Sequence, residues 1–146
     1  MITSYPEINV PTNIINHADT IKHENYKTNS PAKFQKHNQD TEDGLLINKQ
    51  IADLANVNVE QVDWVYFSVC QGAEPHVDQL DPNIFRDDTF IIPIIVPTGR
   101  MVLECNKHRV DAKLNKVYHF DHTKIHSLEL ENKVDGCVVI MAAITK

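Results

Sequence analysis

His76-Val77-Asp78 sets an imidazole and a carboxylate two residues apart. In an extended segment, residues i and i+2 project to the same side of the backbone. Both groups would open onto one space, as two ligands of one metal ion must. A third donor has to come from far along the chain. His126 offers one, and so does His122 four residues before it, since residues four apart in a strand share a face. Two neutral imidazoles and one carboxylate on one face of a metal ion leave adjacent coordination positions open. A single carboxylate leaves such a centre positively charged, which favours an anionic co-ligand.

His-x-Asp is weak evidence by itself, because the chain holds three copies: His17-Ala18-Asp19, His76-Val77-Asp78 and His119-Phe120-Asp121. Context separates them. His17 lies in a polar stretch with no strand before it and reads as a solvated loop histidine. His119 and Asp121 end a strand. The second copy follows Trp64–Val69, a β-branched and aromatic run that reads as a strand, then a Gln71-Gly72 turn and Pro75. It alone is also followed by the strands needed to return a distant histidine beside it.

Those strands set the expected architecture. Residues 90–96 (FIIPIIV) form a near-continuous apolar run ended by Pro97-Thr98-Gly99, and Met101–Cys105 follows, so the two read as a hairpin. Pro93 inside the run predicts a bulge or an edge position. Further strands are expected at 108–110, 116–120, 124–130 and 137–145, about eight in all from Trp64 onward, which predicts a sandwich or barrel. Upstream, residues 1–43 are polar and read as largely irregular, with Ile8–Val10 and Ile14-Ile15 as short edge-strand candidates. Thr41-Glu42-Asp43-Gly44 opens a helix, and Ile47, Ile51, Leu54 and Ala55 repeat at helical spacing over about three turns. The expectation is one domain over 1–146: an N-terminal extension with one amphipathic helix over 1–60, and a β core over 64–145.

Composition bounds the function classes. A net charge of −6 with no basic stripe argues against holding a nucleic-acid backbone. The three cysteines, Cys70, Cys105 and Cys137, lie in apolar runs and read as buried side chains in a reducing compartment. No run is long and apolar enough to span a membrane, and the N-terminus lacks a basic-then-apolar pattern, so a cytoplasmic protein is expected.

The arrangement resembles the double-stranded β-helix (jelly-roll, cupin-like) fold of the iron(II)- and 2-oxoglutarate-dependent oxygenases, over roughly residues 64–145. In that family His-x-Asp follows the second core strand and the distal histidine sits on the seventh. Phe120-Asp121 followed by His126 is similar to the F-D-x-x-x-x-H segment of the aspartyl/asparaginyl-hydroxylase-like branch, as residues 92–97 are to its apolar third strand. Asn132 stands where an Asn often follows the distal histidine. On that resemblance His126, over His122, joins His76 and Asp78 as the metal-ligating and catalytic set. The resemblance implies Fe(II) as cofactor, with 2-oxoglutarate and O2 as cosubstrates. The implied activity is hydroxylation of a C–H bond in a small molecule or a protein side chain.

The sequence departs from the family at the cosubstrate anchor. Relatives carry Arg or Lys nine to eleven residues after the distal histidine, where this chain has Asp135, Gly136 and Cys137. Arg100 is the first substitute, with Arg86 and Lys124 behind it, and the hydroxyls of Thr89 and Tyr66 are candidate donors to a bound carboxylate. Trp64 reads as core; His23, His37 and His108 read as surface residues. Two other readings stand beside this one: a cupin-like metalloenzyme that uses no 2-oxoglutarate, and a non-catalytic jelly-roll binding module. Residues 1–43 are open to three roles: a lid, an edge strand, or the contact of a homodimer.

Overall fold

Strands dominate from Val62 onward because β-branched and aromatic residues recur there between glycine and asparagine turns. The computed structural model describes residues 1–26, 32–36 and 41–146, apart from the side chains of 25, 26, 32–36, 64 and 65. The expectations for His37 and for the Trp64 side chain therefore lie outside the described residues. In chain order the elements are β1 (Thr3–Glu7), α1 (Thr12–Tyr26), β2 (Ala32–Lys36), α2 (Glu42–Ala55), β3 (Val62–Cys70), β4 (Ala73–His76), β5 (Phe85–Ile95), β6 (Met101–Cys105), β7 (His108–Asp111), β8 (Lys116–Asp121), β9 (His126–Leu130) and β10 (Cys137–Thr145).

The strands form two antiparallel sheets, one in the order β1-β8-β5-β10-β3-β2 and the other β4-β9-β6-β7. From β3 the chain crosses to β4 in the smaller sheet, back to β5, and over again to β6. The β6–β7 hairpin then turns it, and β8, β9 and β10 retrace the crossings. That winding is a double-stranded β-helix, with β4 and β9 as its second and seventh strands.

Period-two alternation supplies both cores. Phe67 and Val69 on β3, Phe90, Ile92 and Ile94 on β5, and Val138, Ile140 and Ile144 on β10 are buried in one cluster with Ile14, Ala18 and Ile21 of α1 and Ile47 and Ile51 of α2. The alternate residues Cys70, Ile91, Cys137 and Val139 join Met101, Leu103, Phe120 and Leu130 in a second cluster between the sheets. Covering on both faces explains why residues 90–96 read as an unbroken apolar run. The start of α2 is held by Thr41, whose hydroxyl accepts the Gly44 N–H at 3.1 Å, and Asn56 ends it in the left-handed conformation at φ 55°.

Three sequence expectations are corrected. β5 and β6 are not a hairpin: β5 pairs with β8 and β10 in the larger sheet, while β6 pairs with β7 and β9 in the smaller, so the Pro97–Gly99 turn is a crossover between sheets. The N-terminal part is not largely irregular, since β1 adds to the edge at β8 and a second helix, α1, spans Thr12–Tyr26. Ile14-Ile15 is helical, because Ile14, Ala18 and Ile21 repeat at i, i+4 and i+7 and bury one face on the larger sheet. Pro93 is in a central strand, not at an edge. It sits at a bulge, opposite Val139, beyond the last β8 pairing at Ile91, so no ladder needs its missing N–H. No helix among the described residues is long and apolar enough to cross a membrane.

Candidate metal centre

β4 and β9 pair antiparallel at one edge of the smaller sheet, and the register sets His76 directly opposite His126. Three steps on β4, from Ala73 to His76, match two on β9, from Leu128 to His126. The resulting bulge contains Pro75, which cannot donate to a ladder, and it re-aims the end of the strand. Gly72 brings the chain into β4 at φ +120°, and a Cβ there would meet the Leu128 carbonyl oxygen at 3.0 Å, so this close approach needs glycine. The two imidazoles end 4.4 Å apart between ring centroids.

Asp78 completes the group. Its Oδ1 lies 3.4 Å from His76 Nε2 and its Oδ2 lies 3.4 Å from His126 Nε2. One donor atom from each of the three residues falls within 4.8 Å of the others. His76 Nδ1 lies 2.6 Å from the Glu74 carbonyl and His126 Nδ1 lies 2.8 Å from the Lys124 carbonyl. A carbonyl only accepts, so both Nδ1 atoms carry protons and both Nε2 atoms face Asp78. This is how metal-binding histidines are oriented by their outer partners, and the donor set fits a hard-to-borderline divalent cation.

Burial works to raise the Asp78 carboxyl, but the hydrogen bond and charge of His126, with the charges of His76 and His122, hold it below its ordinary value. Burial works to lower His126, but Asp78 and the Lys124 carbonyl pull it above its ordinary value. A metal ion bound through Nε2 needs that atom unprotonated, so metal and proton compete for it.

The F-D-x-x-x-x-H segment has a physical explanation here. Phe120 packs its ring 4.8 Å from that of His126. Asp121 Oδ1 accepts the Thr123 N–H at 2.9 Å and the Thr123 hydroxyl at 2.6 Å, which fixes the turn leading into β9. His122 does not join the group. Its side chain is buried, with Nδ1 2.7 Å from the Thr89 hydroxyl, and its carbonyl accepts the Asp78 N–H at 3.0 Å.

The three residues stand at a cavity of about 400 Å³ between the sheets, with His126 5 % exposed and His76 43 % exposed, so the group spans the wall and the mouth. Tyr66 and Thr89 line this cavity as well. Ile91, Leu103, Leu128 and Met141 make much of the remaining wall apolar, and among the described residues no lysine or arginine lines it. Arg100 does not line the cavity: its side chain is 70 % exposed, and its guanidinium pairs with Asp111 at 2.9 Å across the β6–β7 hairpin. Arg86 pairs with Asp88 at 2.7 Å and Lys124 is exposed, and neither lines the cavity. Sequence reasoning missed Ser68, whose signal was a polar residue at an inward position of β3 in step with Tyr66. It also missed the Thr89–His122 bond, which no spacing rule announces.

No protein-family model matches the chain, and no curated protein matches it in sequence. Solved structures do. A prolyl-4-hydroxylase from Pseudomonas putida is 7 % identical with a TM-score of 0.59, over 99 % of this chain and 92 % of its own. YcfD, a ribosomal oxygenase from Escherichia coli in complex with cobalt and 2-oxoglutarate, is 9 % identical with a TM-score of 0.55, over 99 % of this chain and 48 % of its own. This chain therefore spans about half the length of that oxygenase. A salicylate 1,2-dioxygenase from Pseudoaminobacter salicylatoxidans is 9 % identical with a TM-score of 0.50, over 92 % of this chain and 34 % of its own. At these identities the likeness establishes the fold, a double-stranded β-helix of the kind these oxygenases share.

Proposed function

We propose that this chain is an iron(II)- and 2-oxoglutarate-dependent oxygenase that hydroxylates a C–H bond of a small molecule or a protein side chain. One observation carries the reading: two Nε2 atoms and a carboxylate, brought from opposed strands and the loop beyond β4, meet at the mouth of an apolar cavity. That an oxygenase of the same fold binds cobalt and 2-oxoglutarate supports both the metal and the cosubstrate.

In this reading His76 and His126 hold the ion through Nε2, and Asp78 supplies the one negative charge. Iron(II) bound there would activate O2 as 2-oxoglutarate is converted to succinate and carbon dioxide, with one oxygen atom going to the substrate. The carbonyls of Glu74 and Lys124 keep both rings in the ligating tautomer. Thr89 and Tyr66 offer hydroxyls to a bound carboxylate, and Ile91, Leu103 and Met141 exclude water from the space where a C–H bond would be presented.

A cupin-like metalloenzyme that uses no 2-oxoglutarate is favoured by a different observation, the absence of lysine and arginine from the described cavity wall. A dicarboxylate buried without a cation is costly. Anaerobic addition of iron(II) and then 2-oxoglutarate separates the readings. Iron binding followed by a weak visible charge-transfer band is the expected result. Iron binding without the band favours the second reading, and no specific metal binding leaves a jelly-roll binding module.

A further inference from the structure

Away from the candidate metal ligands, two thiols face each other. Cys70 ends β3 and Cys137 opens β10, and the register pairs them directly across the strands. Their Sγ atoms lie 3.5 Å apart. Directly opposed residues of an antiparallel pair have Cα atoms about 4.5–5.5 Å apart, inside the roughly 4.4–6.8 Å that a disulfide spans. A bond between them needs side-chain rotation and no movement of the strands. Cys70 is 4 % exposed and is part of the lining of the 400 Å³ cavity, whose mouth carries the exposed His76, so a small molecule in that cavity meets this residue before Cys137. Cys137 is 0 % exposed behind it. Cys105 is placed differently, with its thiol donating to the Asp121 carbonyl at 3.7 Å and pushed up by burial.

We propose that Cys70 and Cys137 form an oxidation site that closes to a cross-strand disulfide when hydrogen peroxide enters the cavity. The Cys70 sulfur attacks one peroxide oxygen, the O–O bond breaks, and the departing hydroxide takes up the thiol proton as water. The Cys137 sulfur then attacks the sulfenic sulfur of Cys70. The S–O bond breaks, and hydroxide leaves with the Cys137 proton as a second water. Two thiols lose two electrons in all, and the peroxide is reduced to two waters.

The order of attack follows from the surroundings. The hydrogen bond with Cys137 draws the Cys70 thiol below its ordinary value against the opposing effect of burial, with the Gly72 backbone and the Ser68 hydroxyl assisting. The same bond, together with burial, pushes Cys137 up. Access sets the order: Cys70 lines the cavity and Cys137 does not, so Cys70 is the attacking sulfur and Cys137 the resolving one. None of this depends on the metal or on the cosubstrate.

The test treats the full chain, with a chelator present, with a molar excess of hydrogen peroxide, then quenches, denatures and counts thiols. The expected result is loss of two of the three thiols, a non-reduced peptide joining Cys70 to Cys137, and a thermal midpoint several degrees higher. In Cys137→Ala, Cys70 stops as a sulfenic acid that dimedone traps. In Cys70→Ala, both remaining thiols survive. Persistence of all three thiols in the unmodified chain, or a cross-link that uses Cys105 or joins two chains, would overturn the proposal. The peptide map of the unmodified chain decides the matter even if a variant does not fold.

Discussion

The carbonyl of His122 accepts the backbone N–H of Asp78 at 3.0 Å, and the His122 ring turns away to meet the Thr89 hydroxyl at 2.7 Å. The histidine that sequence alone leaves as a rival to His126 thus fastens the loop that carries the carboxylate. It ties that loop to β5 through Thr89 and through its own N–H, which donates to the Asp87 carbonyl at 2.9 Å.

Thr89→Val keeps the shape of the side chain and removes the hydroxyl, leaving His122 Nδ1 buried without its partner. The expected cost is about 1–3 kcal/mol of stability, read by urea denaturation of the metal-free protein, with iron stoichiometry unchanged. An unaltered urea midpoint would show that the bond does not hold the ring.

Asp88 gives a pH dependence. Its carboxylate lies 2.7 Å from Arg86 and 2.8 Å from His119 Nε2, and its side chain is 15 % exposed. Burial works to raise it, but His119 and Arg86 hold it below its ordinary value. A depressed folded-state value means the stabilisation is present above the unfolded value of about 3.9 and is lost as pH falls through the folded one. Asp88→Asn should cost about 1–2 kcal/mol near neutrality. The gap from the unmodified chain should narrow from about pH 5 downward. A constant gap across that range would contradict the assignment.

Arg100 anchors nothing in the cavity, so Arg100→Ala should leave 2-oxoglutarate affinity unchanged within about two-fold and the thermal midpoint unmoved. A large loss of affinity by calorimetry would restore the sequence expectation.

Ile51 is 0 % exposed in the core that joins α2 to the outer face of the larger sheet. Ile51→Ala should cost about 2–5 kcal/mol by denaturant unfolding. A cost near zero would mean that α2 is not sealing that face.

Strands β3, β5, β6, β7, β8 and β10 were legible because each carries β-branched or aromatic residues near turn residues, and the helix at Ile47 and Ile51 because its apolar spacing is regular and Thr41 opens it. Helix α1 was obscured by Asn, His, Asp and Lys on its exposed faces, which hide three buried positions in a polar composition. The apparent β5–β6 hairpin misled because a crossover between sheets and a hairpin turn use the same Pro, Thr and Gly residues. His76 and Asp78 could be grouped by period-two geometry. The separation of His126 from His122 depends on the turn that Asp121 fixes, which shows only in three dimensions.

Iron(II) titration of His126→Ala beside His122→Ala, under anaerobic conditions and with both variants shown to be folded by circular dichroism, tests the metal centre most directly. The prediction is about one iron per chain in His122→Ala and a loss of affinity of at least about 100-fold in His126→Ala. Tight iron binding retained by His126→Ala, or abolished in His122→Ala, would contradict it.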